Sequence, residues 1–588
     1  MIGIRYKLYK EINPLLSAKQ QVLYNRGIPV EEQSHWLNAS WEDINDWRLL
    51  DNMELAVEKI IKQGVGNEKA TVILQDCDVD GINSTSILIN YLGMVSPSFV
   101  KKYVTAAYHE GKQHGLSDIM DEIPEETELI IIPDAGTNDT VYCKELAEKG
   151  IDIVILDHHE SDIENPYATI VNPQMCDYPN KSLVGAGVTW QFCRAADELC
   201  GYDYANDLLD LCALGQIGDM SDYRIPEVRA IVNLGLNNIK NKFFQYIVNK
   251  REYSLNKKNG VNYFSVAFYV VSLINAVCRS GTVEEKKLVL NAFLDGMCES
   301  VVPSSKRGHK GEPVLLYEEA YLVAERAKRR QTEEQDSAMD YFRKQIADKD
   351  LTQNAMLFLI DEDKVVRPEI KGLIANKIQA EYQHPTAVVS KNENGELTGS
   401  IRNYGLSVNQ DLKGTLESTG LDIHVAGHSN AAGLIISSGV LGDLNSAMNK
   451  IYKDIDQTPT YWVDYIWNAR DPFYDQVFAL GGLDIYGQNI QESLVCLENI
   501  PLSSNNVTLM GLAKGRPTLK IKVNGVDIIK FHSSEEEYEE FISPGTTITL
   551  IAKPALNEWN GNVSPQLLIE DFELSEKVVD DNTEEWVF

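Results

Sequence analysis

Three short apolar runs set most of what this chain can fold into. Thr71-Val-Ile-Leu-Gln-Asp76, Leu129-Ile-Ile-Ile-Pro-Asp134 and Ile151-Asp-Ile-Val-Ile-Leu-Asp157 are rich in β-branched residues, bounded by polar ones, and each ends on a carboxylate. Runs of this length and composition form buried strands. Helical patterns at Ser84 to Leu92 and Thr140 to Lys149 lie between them, as the crossovers of a parallel sheet require. Ligands collect at the carboxyl ends of such strands. Asp76, Asp134 and Asp157 are therefore expected along one rim.

Asp76-Cys-Asp78-Val-Asp80-Gly81 adds two carboxylates where the first strand gives way to a loop, and an extended chain would turn all three to one face. Carboxylates so placed repel unless cations sit among them, so a divalent-metal site follows. Asp157-His158-His159 brings imidazole to another strand end. A mixture of carboxylate and histidine suits Mn²⁺ better than an all-oxygen Mg²⁺ or Ca²⁺ cage. Taken alone, the first motif reads as a calcium or turn loop and Asp-His-His as an ordinary loop. Their joint occurrence on consecutive strand ends, with Asp134 between, favours a shared site.

With 588 residues the chain is expected to form three or four domains of α/β character. Beyond residue 190 it turns helical, and Leu315 to Ile346 runs without Pro or Gly, as a single bridging helix would. A second α/β pattern follows, and from about residue 490 the strand-rich runs VTLMGL, TLKIKV, VDIIKF and TITLIAK predict a small β-barrel. The expected division is 1–240 for an N-terminal segment and catalytic domain and 241–350 for a helical region and connecting helix. Residues 351–455 would form the second α/β domain, 456–575 a linker and the barrel, and 576–588 an acidic tail.

A formal net charge of −33 argues against a nucleic-acid partner unless Lys and Arg are concentrated locally. Candidate concentrations are Lys240 to Lys258, Lys306 to Lys310 and Arg326 to Arg330, although such runs are more often solvated surface. The nine cysteines include no C-x-x-C pair, which indicates neither a zinc site nor a disulfide framework. No targeting segment and no stretch approaching about 20 apolar residues is visible. A cytoplasmic protein is expected.

The motifs resemble those of the DHH phosphoesterases and, within them, the RecJ-type single-stranded-DNA-specific exonucleases. The matching segments are Asp76-Cys-Asp-Val-Asp-Gly81, Asp134-Ala-Gly136, Asp157-His-His159 and Leu214-Gly-Gln-Ile-Gly-Asp219, with Val171-Asn-Pro173 and Gly185-Ala-Gly-Val188 between them. Gly399-Ser-Ile-Arg402 and Gly427-His-Ser-Asn-Ala-Ala-Gly433 resemble phosphate-binding loops of a DHHA1 domain, and Leu556-Asn-Glu-Trp-Asn-Gly561 the last strands of an OB-fold. The resemblance covers nearly the whole chain. It implies a parallel-sheet DHH domain joined by a long helix to a DHHA1 domain, followed by an OB-fold.

It also implies 5′-to-3′ hydrolysis of single-stranded DNA with two Mn²⁺ ions, Mg²⁺ being an alternative. Asp78, Asp134, His158 and Asp219 would ligate one ion and Asp76, Asp80 and Asp134 the other. Two cations about 3.5–4 Å apart bind one phosphoryl oxygen and acidify a shared water. His159 would help neutralise the scissile phosphate, and Asp157 would orient a histidine. Ser400 and Arg402 with Arg279 would form a terminal-phosphate pocket, and Gly427, His428 and Asn430 would touch substrate.

His109 stands where the family usually has Arg, with Lys112, Gln113 and His114 also departing from its pattern. Ala426 for Gly and Gly218 for Ala are taken as minor changes. A monomer is expected, with a single-strand-binding protein or helicase as accessory partner. The tail Asp580 to Phe588 is expected to be a solvated end, its rival role being competition with DNA for the enzyme's own groove. One competing reading is a DHH oligoribonuclease or small-nucleotide phosphodiesterase, against which the barrel speaks. Another is a non-catalytic single-strand-binding scaffold, against which the full set of metal-site positions speaks.

Overall fold

The computed structural model describes residues 4–108, 115–161, 163–253, 255, 260–407, 409–437, 439–453, 455 and 458–576. Thr71–Gln75, Leu129–Pro133 and Asp152–Leu156 are strands, and every residue of the first two is buried. They belong to an all-parallel five-stranded sheet in the order Val104–Tyr108, Thr71–Gln75, Leu129–Pro133, Asp152–Leu156, Thr169–Val171. Side-chain alternation explains the unbroken apolar runs. Ile73, Ile131, Val154 and Leu156 face the main core, while Val72, Leu74, Ile130, Ile132 and Ile155 face a second one with Leu116, Cys143 and Leu146. Both faces are covered, as parallel sheets demand.

The expected helices are Val79–Val95 and Thr140–Glu148. The first begins earlier than its apolar pattern suggests, and this corrects the picture of three carboxylates on one extended strand. The strand ends at Gln75, Asp78 is the helix N-cap and accepts from the Gly81 amide at 3.0 Å, and Asp80 already lies in the first turn. Aspartate is a strong N-cap because its oxygen satisfies an amide that has no partner within the helix, so capping chemistry overrides the period-two reading.

Leu316–Asp348 is one 33-residue helix shared between two cores. Its first half gives Leu316, Ala320, Ala324 and Ala327 to the main core, and its second half gives Ala338, Met339, Phe342 and Ile346 to a cluster with Leu357, Leu359, Ile374 and Ile378. The helical stretch Tyr263–Ser280 has the length and composition of a membrane span, a feature the sequence reading did not single out. Leu273, Ile274, Val277 and Cys278 are nonetheless used in the core.

The second α/β sheet runs Ile423–His428, Ala431–Ile436, Leu397–Arg402, Thr386–Lys391, Leu357–Ile360, antiparallel except for its last pair. The C-terminal sheet has seven strands, including the two longest, Thr546–Trp559 and Asn562–Glu576. The start of the chain returns to this end of the molecule. Arg5–Leu8 pairs in parallel with Thr460–Val463, and Arg26 forms a buried two-oxygen ion pair with Asp464 at 2.8 and 3.0 Å. Asn25 also donates to Asp464, at 2.8 Å.

Candidate metal centre and end pocket

The rim of the parallel sheet gathers the predicted residues into two groups that share Asp134. In one, Asp76, Asp78 and Asp134 can bring an oxygen each to within 4.8 Å of one another. In the other, Asp134, Asp157, His158 and His159 do the same with one ligand atom each, and His158 Nε2 lies 3.1 Å from Asp134, 3.8 Å from Asp219 and 3.9 Å from Asp80. The division inferred from resemblance put Asp78 with His158 and Asp80 with Asp76. The helix starting at Val79 brings Asp80 to 3.9 Å from His158, and Asp78 reaches Asp76 and Asp134.

The centre is built by close approach. Asp134 has a left-handed backbone, φ 66°, which aspartate tolerates better than most residues. The amides of Gly185 and Ala186, opening a helix, donate to the two oxygens of Asp80 at 2.7 and 3.0 Å. A Cβ on Gly185 would stand 2.4 Å from Asp134 Oδ1, so only glycine fits there. At Gly218 a Cβ would meet the Val79 side chain at 2.7 Å, so an alanine there would require Val79 to shift.

The donor set fits divalent metal. Asp134 Oδ1 is buried among these carboxylates, with His158 Nε2 at 3.1 Å. Burial, with Asp219 next, pushes Asp80 up to about 8, and burial with the charges of Asp80, Asp78 and Asp76 holds Asp134 well above the usual carboxylate range. Without cations these groups resist ionisation. Cations of high charge density remove that penalty.

Asp157 is of another kind. Its Oδ1 accepts from the His158 and His159 amides at 2.7 and 3.2 Å and pairs with His159 Nδ1 at 2.7 Å, while Oδ2 accepts from the amide and hydroxyl of Thr137 at 3.1 and 2.6 Å. Burial acts to raise its pKa, but these bonds, His159 first, hold it far below the usual range. Burial likewise acts to lower His159, yet the bond to Asp157 brings it up to about 9. Asp157→Asn should therefore leave the fold intact but loosen the histidine pair. A fall in kcat/KM of about 10- to 100-fold is expected, as for other groups that orient metal-site histidines; an unchanged kcat/KM would mean the contact is only structural.

Thr137 and Asn172, which donates to Thr137 at 3.1 Å and to the His159 carbonyl at 2.9 Å, were not predicted as site residues. Asn172 falls within the motif Val171-Asn-Pro173, but Thr137 carries no sequence signal. Lys286 was also missed. Its Nζ is 3.2 Å from Cys77 Sγ, between two of the aspartates.

Arg279 lies in the last turn of the helix Ser272–Ser280. Its neighbour Cys278 accepts through its carbonyl from Cys77 Sγ at 3.3 Å, tying that turn to the carboxylate rim. Ser400 and Arg402 alternate on the strand Leu397–Arg402, and burial followed by the charge of Arg279 lowers the pKa of Arg402. The segments expected as phosphate-binding loops are paired strands: Ser400 opposes Gly433 and Arg402 opposes Ala431. Steady period-two pairing with two neighbouring strands outweighs their glycines. Gly427 and His428 are exposed on the adjoining hairpin, and Asn430 is bonded to Asn403 at 2.7 Å. None of these three lines the cavity around Ser400 and Arg402. His109, Lys112, Gln113, His114 and the tail Asp580 to Phe588 lie outside the described residues.

The first and third basic runs are largely matched by carboxylates, whereas Lys306, Arg307 and Lys310 of the second are exposed. Lys240 pairs with Asp207, Lys242 with Glu299, Arg251 with Glu325, Arg326 with Glu319 and Arg330 with Glu285. In the C-terminal domain Lys520 pairs with Asp527, whereas Trp559 is 73% exposed at a hairpin tip.

The sequence profile of the DHH family, N-terminal domain, matches residues 70–216, and that of the RecJ OB domain matches residues 463–571. A Bacillus subtilis chain named as an SPbeta prophage-derived single-strand DNA-specific exonuclease, YorK, is 32% identical over 580 residues, 97% of this chain and 98% of its own length. The chain belongs to the RecJ family. The single-stranded-DNA-specific exonuclease RecJ of B. subtilis is 27% identical over 96% of this chain and 68% of that protein. The Thermus thermophilus RecJ crystal structure in complex with Mn²⁺ superposes with a TM-score of 0.70 at 19% identity, covering 97% of this chain and 80% of that one. The Mg²⁺ complex gives 0.64. The fold of this RecJ-family member is thus the mixed α/β architecture with a RecJ OB domain.

Proposed function

We propose that this chain is a single-strand-specific DNA exonuclease that hydrolyses phosphodiester bonds from the 5′ end, in DNA recombination, repair or replication. The observation that carries the reading is the double group of carboxylates and histidine sharing Asp134. Asp76, Asp78 and Asp134 would hold one divalent ion, and Asp80, Asp134, His158 and Asp219 the other, Mn²⁺ foremost and Mg²⁺ as alternative. Such ions, when bound, supply positive charge to the phosphoryl oxygens and acidify water. Asp157 keeps the histidine pair oriented, and His159 would face the scissile phosphate. Single-stranded DNA is the proposed partner, with Trp559 suited to stacking a base. The nine free cysteines agree with a cytoplasmic protein, which would act as a monomer.

Digestion of end-labelled DNA and RNA strands, each end blocked in turn, in Mn²⁺ and in Mg²⁺, tests substrate and polarity together. Activity confined to nucleotides and very short RNA would favour the small-substrate alternative. Arg402→Ala tests the end pocket. It should raise KM for 5′-phosphorylated strands by about tenfold or more, because charge-assisted bonds contribute roughly 1.5–3 kcal/mol, and leave 5′-hydroxyl strands little changed. Equal loss for both would sink the pocket.

A further inference from the structure

The cavity beside Ser400 and Arg402 carries more positive charge than one terminal phosphate requires. Its volume is about 780 Å³, and Lys364, Arg367, Lys371, Lys391 and Arg402 all line it, with no carboxylate among the lining residues. In a chain of net charge −33 such a concentration runs against the overall balance. Arg367 pairs with Glu334 at 2.5 Å. Lys371 Nζ donates only to neutral oxygens, the Thr398 carbonyl at 3.1 Å and the Ser390 hydroxyl. Among the described residues Lys364, Lys391 and Arg402 have no ion pair.

The fold builds this charge deliberately close. Buried Asp361, just past the strand Leu357–Ile360, accepts from the Val365 and Val366 amides at 2.8 and 3.0 Å, pinning the turn that presents Lys364 and Arg367. Lys371 opens the helix Lys371–Tyr382 and is 3% exposed. A Cβ on its neighbour Gly372 would lie 2.5 Å from Arg402 Nη2, so the guanidinium rests on that helix start. Thr398, Ser400 and Arg402 share one face of a strand, in steps of roughly 6.6 Å. Lys371, bonded to the Thr398 carbonyl, therefore stands two such steps along the strand from Arg402. Burial holds the pKa of Lys371 below that of an ordinary lysine, against the opposing pull of Asp361 and Glu369. A buried ammonium bonded only to neutral groups is costly, and an anion in the cavity would relieve it.

We propose that this cluster of cations is a second anion subsite and that the enzyme accepts strands whose 5′ end carries a triphosphate. The inference rests on the end-pocket reading. The α-phosphate would lie at Ser400 and Arg402, with the β- and γ-phosphates toward Lys371, Lys364 and Lys391. Ends of this kind are left by enzymes that start a polynucleotide de novo from a nucleoside triphosphate.

The test compares KM values of the full-length enzyme in Mn²⁺ for one deoxyoligonucleotide carrying a 5′-hydroxyl, a 5′-monophosphate or a 5′-triphosphate. The wild type should show a KM about tenfold lower for triphosphate than for monophosphate, equivalent to roughly 1.4 kcal/mol. In the double variant Lys364→Ala/Lys391→Ala, whose side chains are both on exposed residues, that ratio should fall to about one while the preference for monophosphate over hydroxyl persists. A wild-type enzyme that prefers monophosphate to hydroxyl but not triphosphate to monophosphate overturns the second subsite and leaves the end pocket standing. So does a double variant that keeps the full triphosphate advantage. No preference of monophosphate over hydroxyl in the wild type overturns the end pocket itself.

Discussion

Asp134→Asn should reduce hydrolysis by at least about a thousandfold while the protein stays folded. Asparagine is the informative replacement because it tolerates the left-handed backbone at this position, φ 66°, whereas alanine would add strain of its own. Asp134 is the one carboxylate common to both groups of candidate ligands. Neutralising it should weaken both cation sites, and loss of several kcal/mol of charge stabilisation corresponds to three or more powers of ten in rate. The metal-free variant should be no less stable than the parent, since a buried repulsive carboxylate has gone. Calorimetric titration with Mn²⁺ checks the assignment: two intact sites, or turnover close to normal, would show that Asp134 bridges nothing.

Asp464→Ala is expected to cost about 3–5 kcal/mol of stability, because it leaves the Arg26 guanidinium buried without its partner. The side chains of the pair are 1% and 0% exposed, and Asp464 also accepts from Asn25. Replacing both members by apolar residues, Arg26→Met with Asp464→Leu, should recover most of the loss, since the penalty belongs to the orphaned charge. Chemical denaturation followed with hydrogen exchange at Arg5–Leu8 separates local from global effects. A single variant within about 1 kcal/mol of the parent would place this pair among exposed ion pairs in energetic terms.

The sheet that carries the site could be read from sequence because its strands are covered on both faces and so appear as unbroken β-branched runs ending in aspartate. The long helix was equally plain, lacking any residue that would stop it. Less accessible was the first turn after Gln75, where Asp78 caps a helix instead of continuing a strand; capping is a local competition that periodicity does not record. The nearness of Asp80 to His158 and of Asp78 to Asp76 and Asp134 follows from that one turn. Lys371 and Thr137 gave no signal, since each acquires its role from residues distant in the chain. Nor could the Arg26–Asp464 pair be foreseen from two ordinary charged residues that far apart.

That distance bears on biosynthesis. Arg26 and Asp464 are 438 positions apart, and the strand Arg5–Leu8 likewise waits for Thr460–Val463. At roughly 5–20 residues per second, the ribosome needs about 20–90 s to deliver the partner after the first helix has emerged. During that interval the nascent N-terminal segment has no sheet edge to join and no counter-charge for its arginine. These contacts can form only once residues 460–464 have been made.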